Sequence, residues 1–244
     1  MNKNYKYTKT AFTLAEVLIT LGIIGVVAAI TMPTLLTNLQ NKKLESQFKE
    51  GYSTLARAVR MATNDNESFF DKTQGFNYRN FIQYFNGATD CGSTGEVSDD
   101  SDFCMIRQQN IDGNAGTVTN KDKNYRNFSK TSQHIQTNNL DDGQFYLMNG
   151  ILIMFDQNHE DLLLSIDING KKQGPNIWGY DLFTFQLKQS EFSGTFDLLP
   201  MGAPGTYYTN KDSYCSKTNT NTSNGIACTY YAMQDSNYFK NLSK

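Results

Sequence analysis

The chain has 244 residues, a formal net charge of −2 and 39% hydrophobic residues, enough for one membrane element and one ordinary soluble domain. A mildly acidic balance without any run of Lys or Arg gives no general attraction for nucleic acid, so no nucleic-acid binding is evident. No H-E-x-x-H, G-x-S-x-G or phosphate-cradling G-K-[ST] occurs, so no enzyme signature is present.

The first predicted element is the run from Ala11 to Leu36, apolar almost throughout, with a single charge at Glu16. Roughly 25 residues at helical rise span about 37 Å, enough to cross a bilayer. A carboxylate in such a run costs about 2.5–3.5 kcal/mol at the membrane centre and less near the edge, where Glu16 lies. Either Glu16 snorkels to the headgroups of a plain anchor, or it has a partner and a job. An ordinary secretory signal is the competing reading, with Val27-Ala28-Ala29 as its cut site, but its apolar core would be shorter and free of acid. Lys3, Lys6 and Lys9 suit a cytoplasmic N-terminus, although Lys42 and Lys43 flank the other end.

The segment A-F-T-L-A-E-V, residues 11–17, resembles the processing site of the type IV prepilin family. Phe12, Thr13, Leu14 and Glu16 match its pattern position by position. Gly25 and Pro33 fall where many pilins carry the glycine and proline that bracket a helix segment able to unwind in the filament. Ala11 departs from the family's usual glycine but keeps a small residue before the cut. The likeness covers roughly the first 60 residues. It implies cleavage between Ala11 and Phe12 and N-methylation of Phe12 by a prepilin peptidase/N-methyltransferase. It also implies polymerisation with other pilin or pseudopilin subunits through the apolar helix, with Glu16 tied to assembly on an inner-membrane platform. The expected location is the cytoplasmic membrane, as a single-pass precursor with its N-terminus inside, and then a periplasmic or cell-surface filament. The expected divisions are a leader (1–11), an apolar assembly helix (12–36), its amphipathic continuation (37–63) and a soluble head (64–244).

Beyond Pro33, Leu44, Phe48, Tyr52, Leu55, Val59 and Ala62 recur at three- and four-residue steps, which predicts a helix laying one face on the head. Pro33 should kink this element and free a carbonyl. A polar region follows, from Asn64 to about Asp142. In it, residues 76–85 read as a short helix whose aromatics pack against the long helix, and Cys91 to Asn139 read as loops. From Gln144 the period changes to that of strands: 145–148 and 151–155 flank the hairpin signal Asn149-Gly150, with further strands at 162–168 and 182–187. The last of these alternates, as a half-buried strand does. Residues 226–233 read as a short helix or an edge strand. The expected class is α+β: a long N-terminal helix packed on a C-terminal antiparallel sheet, pilin-like.

Cys91, Cys104, Cys215 and Cys228 form two short-spaced pairs. In an exported protein they read as disulfides, with three connectivities open. Local pairing is favoured because each bond closes a loop of roughly 14 residues, worth about 3 kcal/mol. His134 and His159 lie in polar stretches and read as solvated. Asp167-Ile168-Asn169-Gly170, continuing to Asp181, places oxygen side chains at alternate positions before a glycine, as calcium loops do. The bidentate glutamate of such loops is missing, and Asp, Asn and Gly are also what a turn between strands requires. Calcium is therefore a weaker expectation at Asp167, Asn169 and Asp181 than a plain turn, and no other cofactor is expected.

Taken together, the expectation is a structural subunit of a pilus-like or secretion pseudopilus filament, not an enzyme. The alternatives are a minor or tip subunit that primes assembly, and a membrane-tethered periplasmic binding domain that never polymerises.

Overall fold

The computed structural model describes residues 12–65, 70–71, 75–92, 103–105, 125–131, 135, 139–140, 142–158, 161–190 and 195–242. The leader with Ala11, most of the stretch between the first two cysteines and Tyr125, and both histidines lie outside the described residues.

Helix α1 is Leu14–Asn64, 51 residues, about 77 Å at helical rise. Thr13 caps its start. The helix continues through Pro33 without a break; Thr31 and Thr37 turn their hydroxyls back onto the Val27 and Pro33 carbonyls at 2.9 and 3.0 Å. Its buried positions are Asn41, Leu44, Phe48, Gly51, Leu55, Ala58, Val59 and Ala62, spaced so that they share one face. At Gly51 that face comes so close to the sheet that a Cβ would stand 2.9 Å from Ile166 Cδ1.

The head is built on a six-stranded sheet whose spatial order equals its chain order. The strands are β3 (Thr89–Gly92), β4 (Gly143–Tyr146), β5 (Leu152–Asn158), β6 (Asp161–Asp167), β7 (Leu182–Gln189) and β8 (Phe196–Pro200). Every neighbouring pair is antiparallel. A two-stranded ribbon of β1 (Phe70–Asp71) and β2 (Gly75–Phe76) precedes them. The β4–β5 hairpin turns at Asn149-Gly150 as the sequence indicates, with Gly150 at φ 90°. The class is α+β, as expected.

Strand side chains alternate between two cores. The front face, including Phe145, Ile153, Phe155, Leu164, Ile166, Phe183 and Phe185, meets the buried stripe of α1. Phe48 of α1 lies 4.4 Å, ring to ring, from Phe183. The back face is covered as well. Leu152, Met154, Leu163 and Leu182 pack with Met105, Tyr125, Trp178, Met201 and Ile226 from the connecting segments. The back-face polar groups are buried as well and find partners there. Ser165 and Thr184 share a hydroxyl hydrogen bond of 2.8 Å, and the Trp178 indole donates to Thr184 at 3.0 Å. Gln144 exchanges two bonds with the Met105 backbone. Burial without such partners would cost about 1–3 kcal/mol per group.

Other expectations need adjusting. Helix α2 (Tyr78–Ile82) exists, and the aromatics on and after it share one core with the stripe of α1; they also pack on the sheet, Phe81 edge-on to Phe155 and Phe85 4.9 Å from Phe145. Strand β3 overlaps the start of what read as loop at Cys91 and Gly92, and neither it nor β8 was foreseen. In the C-terminal segment, α3 (Lys211–Tyr214) is a single turn and α4 (Cys228–Gln234) is helical, not an edge strand. Disulfides join Cys91 to Cys104 and Cys215 to Cys228, the two local pairings.

Candidate functional site

Two places combine exposed or buried chemistry that the fold itself does not explain. The first is the N-terminal half of α1. Every residue from Leu14 to Gln40 is exposed except Ala28 and Thr37, which are half-buried. Soluble monomers rarely expose contiguous apolar patches above a few hundred Å², so this surface calls for lipid or other protein. The helix is long and apolar enough to cross a membrane. Gly22 and Gly25 have open space where a Cβ would stand, so nothing within the single chain demands glycine at either position.

At the tip of this half stands Glu16. The Thr13 N–H and hydroxyl both donate to Glu16 Oε2 at 2.9 Å, and the Glu16 N–H donates to Thr13 Oγ1 at 3.3 Å. This is a capping box, in which Thr and Glu three residues apart satisfy each other's end of the helix. The carboxylate also meets the positive end of the helix dipole. The T-x-x-E pattern was legible in the sequence, but there Glu16 was read as snorkelling or tied to assembly and Thr13 as part of the processing pattern, and the cap was missed. Phe12, 87% exposed, sits just outside the cap.

The second place is the β6–β7 connection, which folds back on itself between Asp167 and Asp181. Asp167 accepts from the Asn169 and Gly170 N–H groups at 3.3 and 2.9 Å and from the Tyr125 hydroxyl. Asp181 accepts from the Asn176 and Ile177 N–H groups, both at 2.7 Å. Both carboxyls are fully buried. Burial pushes Asp167 up to about 6 against its three donors, and burial with the neighbouring Asp167 charge pushes Asp181 well above the ordinary range. The three residues singled out in the sequence are therefore brought together, and as a turn they behave as expected. Tyr125 and Asn176 were missed, the first because it arrives from 42 residues away. Among the described residues no group of three or more His, Cys, Asp and Glu gathers for a metal ion.

No family model, curated protein or solved structure matches the chain.

Proposed function

We propose that the chain is a structural subunit of a filament of the type IV pilus or secretion pseudopilus kind. In this reading it is held in the membrane by the first half of α1, trimmed between Ala11 and Phe12, and polymerised through the same helix. The observation that carries the reading is the continuity of α1: an unburied apolar half runs without interruption into a half locked in the core of the head. A rigid junction of this kind transmits the order of packed helices to the heads, which a flexible tether would not. The likeness of residues 11–17 to prepilin processing sites supports the same reading. After cleavage the Phe12 amine would stand one turn from Glu16. At about 4 Å and an effective dielectric near 20, an amine–carboxylate contact between subunits gains roughly 4 kcal/mol before desolvation.

One observation favours the tethered-domain alternative. Thr13 already gives Glu16 a partner, so the acid has a use that requires no second subunit. Glu16→Gln separates the two roles, because glutamine serves at the third position of a capping box as glutamate does but carries no charge for an amine. The expected result is normal membrane level and helix content with few or no sheared filaments. Normal filament yield from Glu16→Gln would refute the pairing mechanism. Intact mass and N-terminal sequencing of the native protein should give a methylated chain starting at Phe12.

A further inference from the structure

We infer that the cavity between α1 and the β6–β7 connection seats the headgroup of an anionic phospholipid of the phosphoglycerol type, a role that rests on the first half of α1 lying in a membrane but not on polymerisation. The cavity holds about 510 Å³, within the roughly 300–1,000 Å³ of pockets that take small ligands. Its walls are residues between 37 and 47 of α1, Lys130, and residues of the β6–β7 connection. Its position along α1 points to lipid. Leu39 is the last large apolar side chain exposed on the first half, at 55%, and Gln40, Asn41, Lys42 and Lys43 follow at once. Lys43 lies four residues beyond Leu39, about 6 Å along the axis. The headgroup layer on each side of a bilayer is about 5–7 Å deep. The cavity therefore begins at the level of the phosphates.

Its charge suits an anion. Among the described residues two cations line it, Lys43 and Lys130, and no acid does. Neither lysine makes an ion pair with a described residue. Lys130 Nζ stands 4.6 Å over the Tyr180 ring, which also lines the cavity, so the ammonium is held beside this space by a cation–π contact. The backbone holds it as well. Lys130 sits at φ 62°, an uncommon conformation for a lysine. Its N–H donates to the Asn127 carbonyl at 2.9 Å, and the buried Asn127 amide is tied in turn to Thr131 and to the Asn221 carbonyl.

Lysines beside a membrane helix attract any anionic lipid, but two amide oxygens ask for more than charge. Gln47 Oε1 and Asn169 Oδ1 are buried without a hydrogen-bond partner, and both residues line the cavity. Asn169 is only 7% exposed. Its Nδ2 donates to the Gly174 carbonyl at 3.3 Å, so its oxygen is the unused end. Unused acceptors beside cations fit a ligand that carries both an anion and hydrogen-bond donors. Phosphoglycerol is such a group: its phosphate oxygens accept from the ammonium groups, and its hydroxyls donate to the amide oxygens. A phosphocholine headgroup has no donor and no net charge. Phosphoethanolamine has donors but no net charge to set against two lysines.

The test uses the full chain in detergent micelles doped with one lipid at a time, read by native mass spectrometry and by melting temperature. Phosphatidylglycerol should be retained as a single molecule per chain and raise the melting temperature. Its midpoint should lie about tenfold below that of phosphatidylmethanol, which has the same charge but no hydroxyl. Gln47→Met removes one unused oxygen without changing charge and should shrink that preference while leaving phosphatidylmethanol binding as it was. Lys43→Ala and Lys130→Gly should each weaken both lipids by about tenfold. Glycine adopts the Lys130 conformation freely, and the melting temperature without lipid is the folding control. Equal midpoints for the two lipids in the unmodified chain would overturn the proposal. So would an equal thermal shift from free glycerol 3-phosphate, which would make the ligand a soluble phosphate. Alkaline extraction of native membranes tests the membrane reading separately. A chain that washes off would overturn both, whereas a chain that stays but shows no preference for phosphatidylglycerol overturns the headgroup site alone.

Discussion

From Leu14 to Gln40 and from Asn41 to Asn64, α1 is one uninterrupted helix, but the two stretches answer to different surroundings. In the second, apolar residues occupy one stripe and charged ones such as Lys49 and Glu45 pair on the other side. In the first, apolar residues occupy every side and none is buried. A helix that is hydrophobic all round requires an apolar solvent or a bundle, whereas a striped one requires a single facing core. The comparison shows that hydrophobicity alone does not predict burial within a chain, and that the angular distribution of apolar residues does.

The largest expected effect separates the halves directly. Leu55 is 0% exposed and Leu21 is 61% exposed. Leu55→Ala should destabilise the head by about 2–5 kcal/mol, while Leu21→Ala should leave its denaturant midpoint unchanged in micelles. Equal losses from both would break the comparison.

A somewhat smaller effect concerns the cover over the buried half. Phe239 packs on Phe48 of α1, and its segment follows directly on α4, which begins at Cys228. Replacing Cys215 and Cys228 together by Ala should lower head stability by about 3 kcal/mol. Circular dichroism of the denatured-head state should still show the helix of the first half, held by the micelle.

Next comes pH. Asp167 titrates near 6 in the folded head, above its unfolded value, so the folded state binds the proton more tightly. The stability this contributes is complete below about pH 4 and is lost as pH rises through about 6; Asp181 shifts in the same direction. Melting temperature should therefore rise between pH 7 and pH 5, and Asp167→Asn should flatten the rise.

The smallest effect differs between the two halves. Gly25→Ala enters open space and should gain about 0.5–1 kcal/mol of helix propensity. Gly51→Ala gains the same but pushes against Ile166, so its net effect on head stability should be near zero or unfavourable. Thermal melts of the head read Gly51→Ala, and circular dichroism of the first-half helix with the head denatured reads Gly25→Ala.

How much of this could be read from the sequence follows the same logic. Periodicity revealed α1 and strands β4 to β7, because their apolar positions repeat over several turns or residues. It failed for β3, Thr-Asp-Cys-Gly, and β8, which ends in Pro200, since edge strands are short and carry turn-type residues. It failed for the back face too. Ser165, Thr184 and Gln186 look like solvent-facing positions, and only long-range partners such as Trp178 and Tyr207 show that they are inside. At the β6–β7 loop, Asp167, Asn169 and Asp181 stood out by residue type. Asn176 did not, because its role comes from a fold-back that no local pattern encodes.

The strand order of the head has a consequence for how the protein is made. Because each strand from β4 to β8 pairs with its neighbour in sequence, this part of the sheet can grow strand by strand as the chain emerges, without waiting for a distant segment. The buried stripe of α1 has no such luxury. Leu44 to Ala62 are synthesised more than a hundred residues before Ile166 and Phe183, the side chains that cover them. Throughout that interval the stripe is an exposed, adhesive surface. It is the stage at which the nascent chain most needs a chaperone.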